Sequence, residues 1–161
     1  MLSESACAWA LRYGFSAVAM NSQSAGGAGD ADAVAVGIIR GKRRSAEFES
    51  KVSRSDFFAD HKKWHRKWST HPNLTEQWYV TPAGLIKISE LPEGWGLLEA
   101  NENGRLSVTK RALIRDISSE KFLKALMLCS RACSQKYLAL RFCKWFNGSI
   151  ELNPEKWKEI S

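Results

Sequence analysis

The run ADAVAVGII (31–39) is apolar at odd and even positions alike. A strand turns successive side chains to opposite faces, so this one needs cover on both. A chain that contains it must fold as a sheet with a layer on each side. Its neighbours fit that demand. Ala6, Trp9, Ala10 and Tyr13 recur at three-to-four spacing, which predicts a helix over 3–13, capped at Ser3 or Ser5 and ended by Gly14. FSAVAM reads as a short strand, NSQSAGGAGD as a loop and RGKRRS as a basic turn. AEFESKV alternates, with Ala46, Phe48, Ser50 and Val52 on one side and Glu47, Glu49 and Lys51 on the other.

The period then changes. In SRSDFFADHKKWHRKW, Phe57, His61, Trp64 and Trp68 make one stripe at helical spacing, and Ser53 with Asp56 forms a capping start. TEQWYVTP is a further strand, 82–95 a turn-rich connection, and GLLEA with RLSVTKRA a closing strand pair around NENG. From Ser118 to Asn147 the pattern is helical. The expectation is an α/β fold with a mixed central β-sheet flanked by helices. Residues 1–115 form its core, and 116–161 form a basic helical extension packed on that core.

Charge narrows the partners. Residues 40–68 hold ten Lys and Arg against four acids, and residues 111–161 hold ten against five, while the remaining segments are acidic. Two basic segments in a chain of net charge +7 point to a polyanion. No apolar run approaches the roughly 18 residues that cross a membrane. The N-terminus has Glu4 and no basic flank, so it does not read as a signal peptide. Cys7, Cys129, Cys133 and Cys143 are too few and too unevenly placed for a disulfide scaffold, which suggests a reducing, cytoplasmic setting. Their x3 and x9 spacings do not suit an iron–sulfur cluster, and they read as small core residues.

One constellation carries chemistry. Asp32 lies early in the central strand, and Glu49 and Lys51 share a face of the next. Mg²⁺ takes hard oxygen ligands and accepts one or two carboxylates, leaving room for water and phosphate. A lysine two residues beyond Glu49 projects on the same face and can stabilise charge that develops on a phosphate under attack. Glu-x-Lys alone is weak; its context is two core-type strands, an upstream acid and a basic helix downstream.

The order helix, strand, Gly-rich loop, strand with Asp, turn, strand with Glu-x-Lys, helix resembles the PD-(D/E)XK nuclease superfamily, the fold of restriction endonucleases. The segments EFESKVSRSDFFADHKKW, WYVTPAGLI and LPEGWGLLE are similar to small bacterial and phage members related to the MmcB group of DNA-repair proteins. The resemblance spans roughly residues 3–112. It implies a restriction-endonuclease-like core and a Mg²⁺- or Mn²⁺-dependent deoxyribonuclease acting in DNA repair, recombination or phage DNA metabolism. On this chain it places the metal at Asp32 and Glu49, with Glu4 of the first helix as an added ligand and Lys51 as the transition-state group. Asp30 shares a face with Asp32 and is the alternative ligand. Lys42, Arg43, Arg44, Arg54, Lys62, Lys63, Arg66 and Lys67 would hold the DNA backbone without reading bases. The rival expectation is a non-catalytic nucleic-acid-binding or protein-interaction module that retains the fold. In either case the C-terminal helices offer a surface to a second copy or to a protein partner.

Overall fold

The computed structural model describes residues 2–22, 31–61, 74–133 and 138–140. Helix α1 (Leu2–Tyr13) is followed by β1 (Ala17–Ser22), β2 (Ala31–Ile39), β3 (Lys42–Ser50), α2 (Arg54–His61), β4 (Glu76–Pro82), a short 3-10 turn (Ile88–Glu90), β5 (Gly96–Ala100), β6 (Leu106–Lys110), α3 (Ser119–Cys133) and β7 (Leu138–Leu140). The strands form one mixed sheet in the order β6-β5-β4-β3-β2-β1-β7. β1 pairs antiparallel with β2, and β2 with β3. β4 and β5 lie parallel to β3, so α2 crosses over between β3 and β4.

Strand β2 is central and buried on both faces, as its composition requires. Ala33 and Ala35 face α1, in a core with Trp9, Leu11, Phe15, Phe48, Trp78 and Leu98. Val34 and Val36 face the other way, under Ala125 and Cys129 of α3. That second face is divided. α3 covers β1 and β2, while Phe57 of α2 joins Tyr79, Trp95, Leu97 and Ile86 over β4 and β5. β3 runs between the two covers, and its odd-numbered residues make the floor there.

Local sequence explains most boundaries. The N–H groups of Gly14 and Phe15 both donate to Ala10 O and close α1. Asp56 N donates to Ser53 Oγ at 3.2 Å and starts α2. The basic turn is shorter than expected: only Arg40 and Gly41 turn, with φ of 51° and 72°, and Lys42–Ser45 already belong to β3. Two positive φ values in a two-residue hairpin match the right-handed twist of the strands. The expected tail also differs. α3 ends at Cys133 and residues 138–140 pair with β1 as a strand, extending the sheet. Leu138-Ala-Leu140 is short and apolar, and a helical pattern cannot be told from a strand over three residues.

The start of β4 is fixed by a mutual clasp. Ser45 N donates to Thr75 Oγ1 at 2.9 Å, Thr75 N to Ser45 Oγ at 3.2 Å, and Thr75 Oγ1 to Ser45 O at 2.6 Å. The clasp sets the register that pairs Glu49 with Tyr79 and Ser50 with Val80. A slip of β4 by one residue would turn Tyr79 onto the α1 face.

Cys7 and Cys129 lie in cores on opposite faces of the sheet, so they cannot share a cluster. Burial, with the Glu4 carboxylate as a lesser cause, pushes the Cys7 thiol up to about 12. Such a thiol is inert at neutral pH. The Cys133 side chain and Cys143 lie outside what the structure describes. Among the described residues, no helix is long and apolar enough to cross a membrane.

Candidate active site

The antiparallel register of β2 and β3 pairs Ala33 with Phe48 and Val34 with Glu47. Continued by one residue, it sets Asp32 opposite Glu49, and opposed residues show their side chains to the same face. One Asp32 oxygen, Oδ2, accepts the N–H of Ser50 at 2.7 Å, which ties the carboxylate to the end of β3. Glu49 is buried and Asp32 half-buried. Lys51 continues the pairing beyond β3, since its N–H donates to Val80 O at 2.9 Å. The residue is 5% exposed, which is unusual for a lysine, and its Nζ donates to Glu49 Oε2 at 3.4 Å. Asp32, Glu49 and Lys51 therefore meet on one face, in the gap between the α3 cover and the α2 cover.

Two further residues complete the group. Asp60 of α2 is 1% exposed and places Oδ1 3.5 Å from Lys51 Nζ. The Tyr79 hydroxyl donates to Asp60 Oδ2 at 2.8 Å. Neither Asp60 nor Tyr79 is marked out by the sequence alone. The missed signal is spacing: Asp60 lies three residues after Phe57, so an acid shares the buried face of the helix. Next to Lys51 in the extended register, on the same face as Tyr79, is Thr81. Its Oγ1 is buried and has no hydrogen-bond partner among the described residues. An orphan hydroxyl costs about 1–3 kcal/mol unless water or a ligand meets it.

Other expected residues fall elsewhere. Glu4 is exposed on α1, which packs on the opposite face. The Ser3 and Ser50 hydroxyls, 3.1 Å apart, bring the start of α1 to the same end of β3, but from the far side. Among the described residues no three His, Cys, Asp or Glu side chains are gathered to hold a metal. The donor set is thus two hard carboxylates with a lysine beside them, which fits an ion such as Mg²⁺ that keeps most of its ligands as water and phosphate. Glu47 sits one turn of the pleat away and accepts from Gln77 Nε2 at 3.1 Å. Gln77 Oε1 in turn accepts from Arg115 at 3.3 Å.

The basic residues divide. Arg44 is a correction. It is buried on the α1 face, where its Nε donates to Glu76 Oε1 at 2.8 Å and a second guanidinium nitrogen binds the same oxygen. Trp78 Nε1 donates to the other Glu76 oxygen at 3.3 Å. Burial raises the Glu76 carboxyl above its ordinary range, against the opposing pull of Arg44. A phosphate cannot reach Arg44 there. Even parity in β3 faces α1, so Lys42, though exposed, lies on the wrong side as well. Arg43 is exposed on the site face, donates to Ser119 Oγ at 2.7 Å and stands 5.9 Å over the Phe122 ring. Arg54 is committed to Glu90, at 2.6 and 3.0 Å, and to Leu85 O at 3.1 Å, so it ties α2 to the 85–90 segment. This pairing holds the Glu90 carboxyl down at about 2. Lys62, Lys63, Arg66, Lys67 and Asp30 lie outside the described residues.

No family model matches this chain, and no curated protein matches it. Among solved structures, SPO1766, a protein of unknown function from Silicibacter pomeroyi, is similar with a TM-score of 0.66 and 18% identity, over 84% of this chain and 85% of that one. Identity at that level shows a shared fold and nothing about activity.

Proposed function

We propose that this protein is a metal-dependent nuclease that hydrolyses DNA phosphodiester bonds on a restriction-endonuclease-like core. One observation carries the reading. Asp32 and Glu49 stand opposite one another on adjacent strands, and a buried lysine reaches Glu49 from the same face. The element order α1, β1, β2, β3, α2 agrees with the order on which the resemblance to PD-(D/E)XK nucleases rests. Thr81, with its unpartnered hydroxyl beside Lys51, supports a site that takes water or phosphate. Parallel strands β3, β4 and β5 end at this position, where open α/β sheets commonly bind ligands.

A bound Mg²⁺ or Mn²⁺ would supply the charge that activates water and screens the scissile phosphate. The protein does the rest. Asp32, fixed by the Ser50 N–H, and Glu49 hold the ion. Lys51 offers its ammonium to the phosphate as negative charge grows there. A panel of labelled DNA and RNA substrates with Mg²⁺, Mn²⁺ or EDTA tests the reading. Cleavage of DNA with a divalent metal and none in EDTA is expected. DNA binding without cleavage under any metal would favour the non-catalytic module instead.

The surface adds a sharper expectation. Arg43 and Glu49 share a face but sit six residues apart along β3, about 20 Å at the rise of a strand. On duplex DNA that distance spans about 6 base pairs. Arg43→Ala should weaken binding of longer duplexes and reduce the magnitude of the salt slope by about 0.9, one phosphate contact. Lys42→Ala, on the α1 face, should leave the slope unchanged. Titrations over a range of NaCl concentrations check both, and equal effects from the two variants would move the DNA to another surface.

A further inference from the structure

We propose that Asp60 is a positioning residue that holds the Lys51 ammonium together with Glu49. The proposal rests on the nuclease reading, because Lys51 needs positioning only if it acts on the reacting phosphate.

The geometry is as follows. Lys51 Nζ lies 3.4 Å from Glu49 Oε2 and 3.5 Å from Asp60 Oδ1, so it is held between a strand carboxylate and a helix carboxylate. Lysine is a point charge on a flexible four-carbon stem, and one contact leaves it free to swing. A metal held by Glu49 would compete with Lys51 for that carboxylate. Asp60 is not on the strand pair that carries the metal ligands, and it reaches Lys51 from α2.

Asp60 is itself held. Its Oδ2 accepts the Tyr79 hydroxyl at 2.8 Å. The Tyr79 ring stacks on Trp95 at 4.5 Å and meets the edge of Phe57 at 5.1 Å. Tyr79, Phe57 and Trp95 are all buried. A continuous set of contacts therefore runs from an aromatic core through Tyr79 and Asp60 to the ammonium. Phe57 and Asp60 share one face of α2, so docking of that helix places both together. Placement of a charge to within a fraction of an ångström matters when it acts in the transition state. Asp60 touches no reacting atom and works through Lys51.

Asp60→Asn keeps the size of the side chain and an oxygen for the Tyr79 hydroxyl, and it removes the charge that holds Lys51. We expect kcat to fall about 10- to 100-fold, the usual loss when a supporting partner is removed. KM for DNA and the Mg²⁺ concentration at half-maximal rate should not change, a split that general loosening of the fold would not produce. Tyr79→Phe should lower kcat by less, because Asp60 stays charged. A second arm needs no catalysis. Urea midpoints of wild type, Asp60→Asn, Lys51→Met and the double variant form a cycle. The Asp60→Asn shift should be smaller when Lys51 is already gone. Additive midpoints overturn the hold of Asp60 on Lys51. An active wild type whose Asp60→Asn variant keeps its full kcat overturns the positioning role. A wild type inactive with every metal, yet with coupled midpoints, sinks the nuclease reading while upholding the contact.

Discussion

Asp32→Ala, Glu49→Ala and Lys51→Ala should each lower DNA cleavage by at least about 10²-fold, the cost of removing one group aimed at developing charge. The three losses should differ in kind. On the proposed reading Asp32 and Glu49 hold a cation, so their variants should lose tight Mg²⁺ binding, readable by calorimetry without any turnover. On the same reading Lys51 acts chiefly in the transition state, so its loss should fall on kcat more than on KM. In EDTA the two carboxylate variants should bind DNA as well as wild type or better, because on the proposed reading an anion has been taken from the surface that meets the phosphates. Glu47→Ala is the control. Glu47 lies on the same face and strand, but it is engaged with Gln77 and away from Lys51. It should cleave at close to the wild-type rate. Normal cleavage by Glu49→Ala would end the nuclease reading.

Arg44→Met should destabilise the fold by about 3–5 kcal/mol, the cost of leaving one half of a buried ion pair uncompensated. Glu76 is 1% exposed and would lose the guanidinium that binds it through two nitrogens. Its carboxyl is already raised by burial, so without Arg44 it would tend to take up a proton on folding. The denaturant midpoint of Arg44→Met should therefore recover as the pH is lowered toward the carboxyl range. The sign follows from linkage: a raised folded-state value favours the protonated form, which is stable at low pH and is lost as the pH rises. Arg44→Met combined with Glu76→Gln should regain much of the loss, because the amide removes the buried charge and still accepts from the Trp78 indole. Urea unfolding at several pH values checks both statements. A salt slope for DNA binding that falls in Arg44→Met while stability is unchanged would return Arg44 to the surface role first expected of it.

The contrast between Arg44 and its neighbours shows where sequence reading stops. RGKRRS reads as a basic turn because four cations flank a glycine. Only Arg40 and Gly41 turn, and the strand that follows sends Arg43 and Arg44 to opposite faces. What decides their fates is a partner 32 residues away, Glu76, which no local pattern in 40–45 can reveal. The same holds for Arg54, whose partner is Glu90.

The layered α/β class follows from local pattern alone, because a strand apolar at both parities has to be covered twice. Local pattern determined α1, β2, β4 and the β5–β6 hairpin to within a residue or two, since caps, turns and hydrophobic period are local. It also placed Glu49 and Lys51 on one face of a strand, because strand alternation is a local rule; the two-residue turn, shorter than the basic turn expected, is what set Asp32 opposite Glu49. The rest came from long-range packing. The parallel register of β3 and β4, set by the Ser45–Thr75 clasp, brought Tyr79 beside Glu49. The crossover of α2 brought Asp60 onto Lys51. The pairing of residues 138–140 with β1 turned part of an expected helix into a strand. Each of these depends on contacts between residues distant in sequence, whose cost in chain entropy is repaid only when the whole sheet forms.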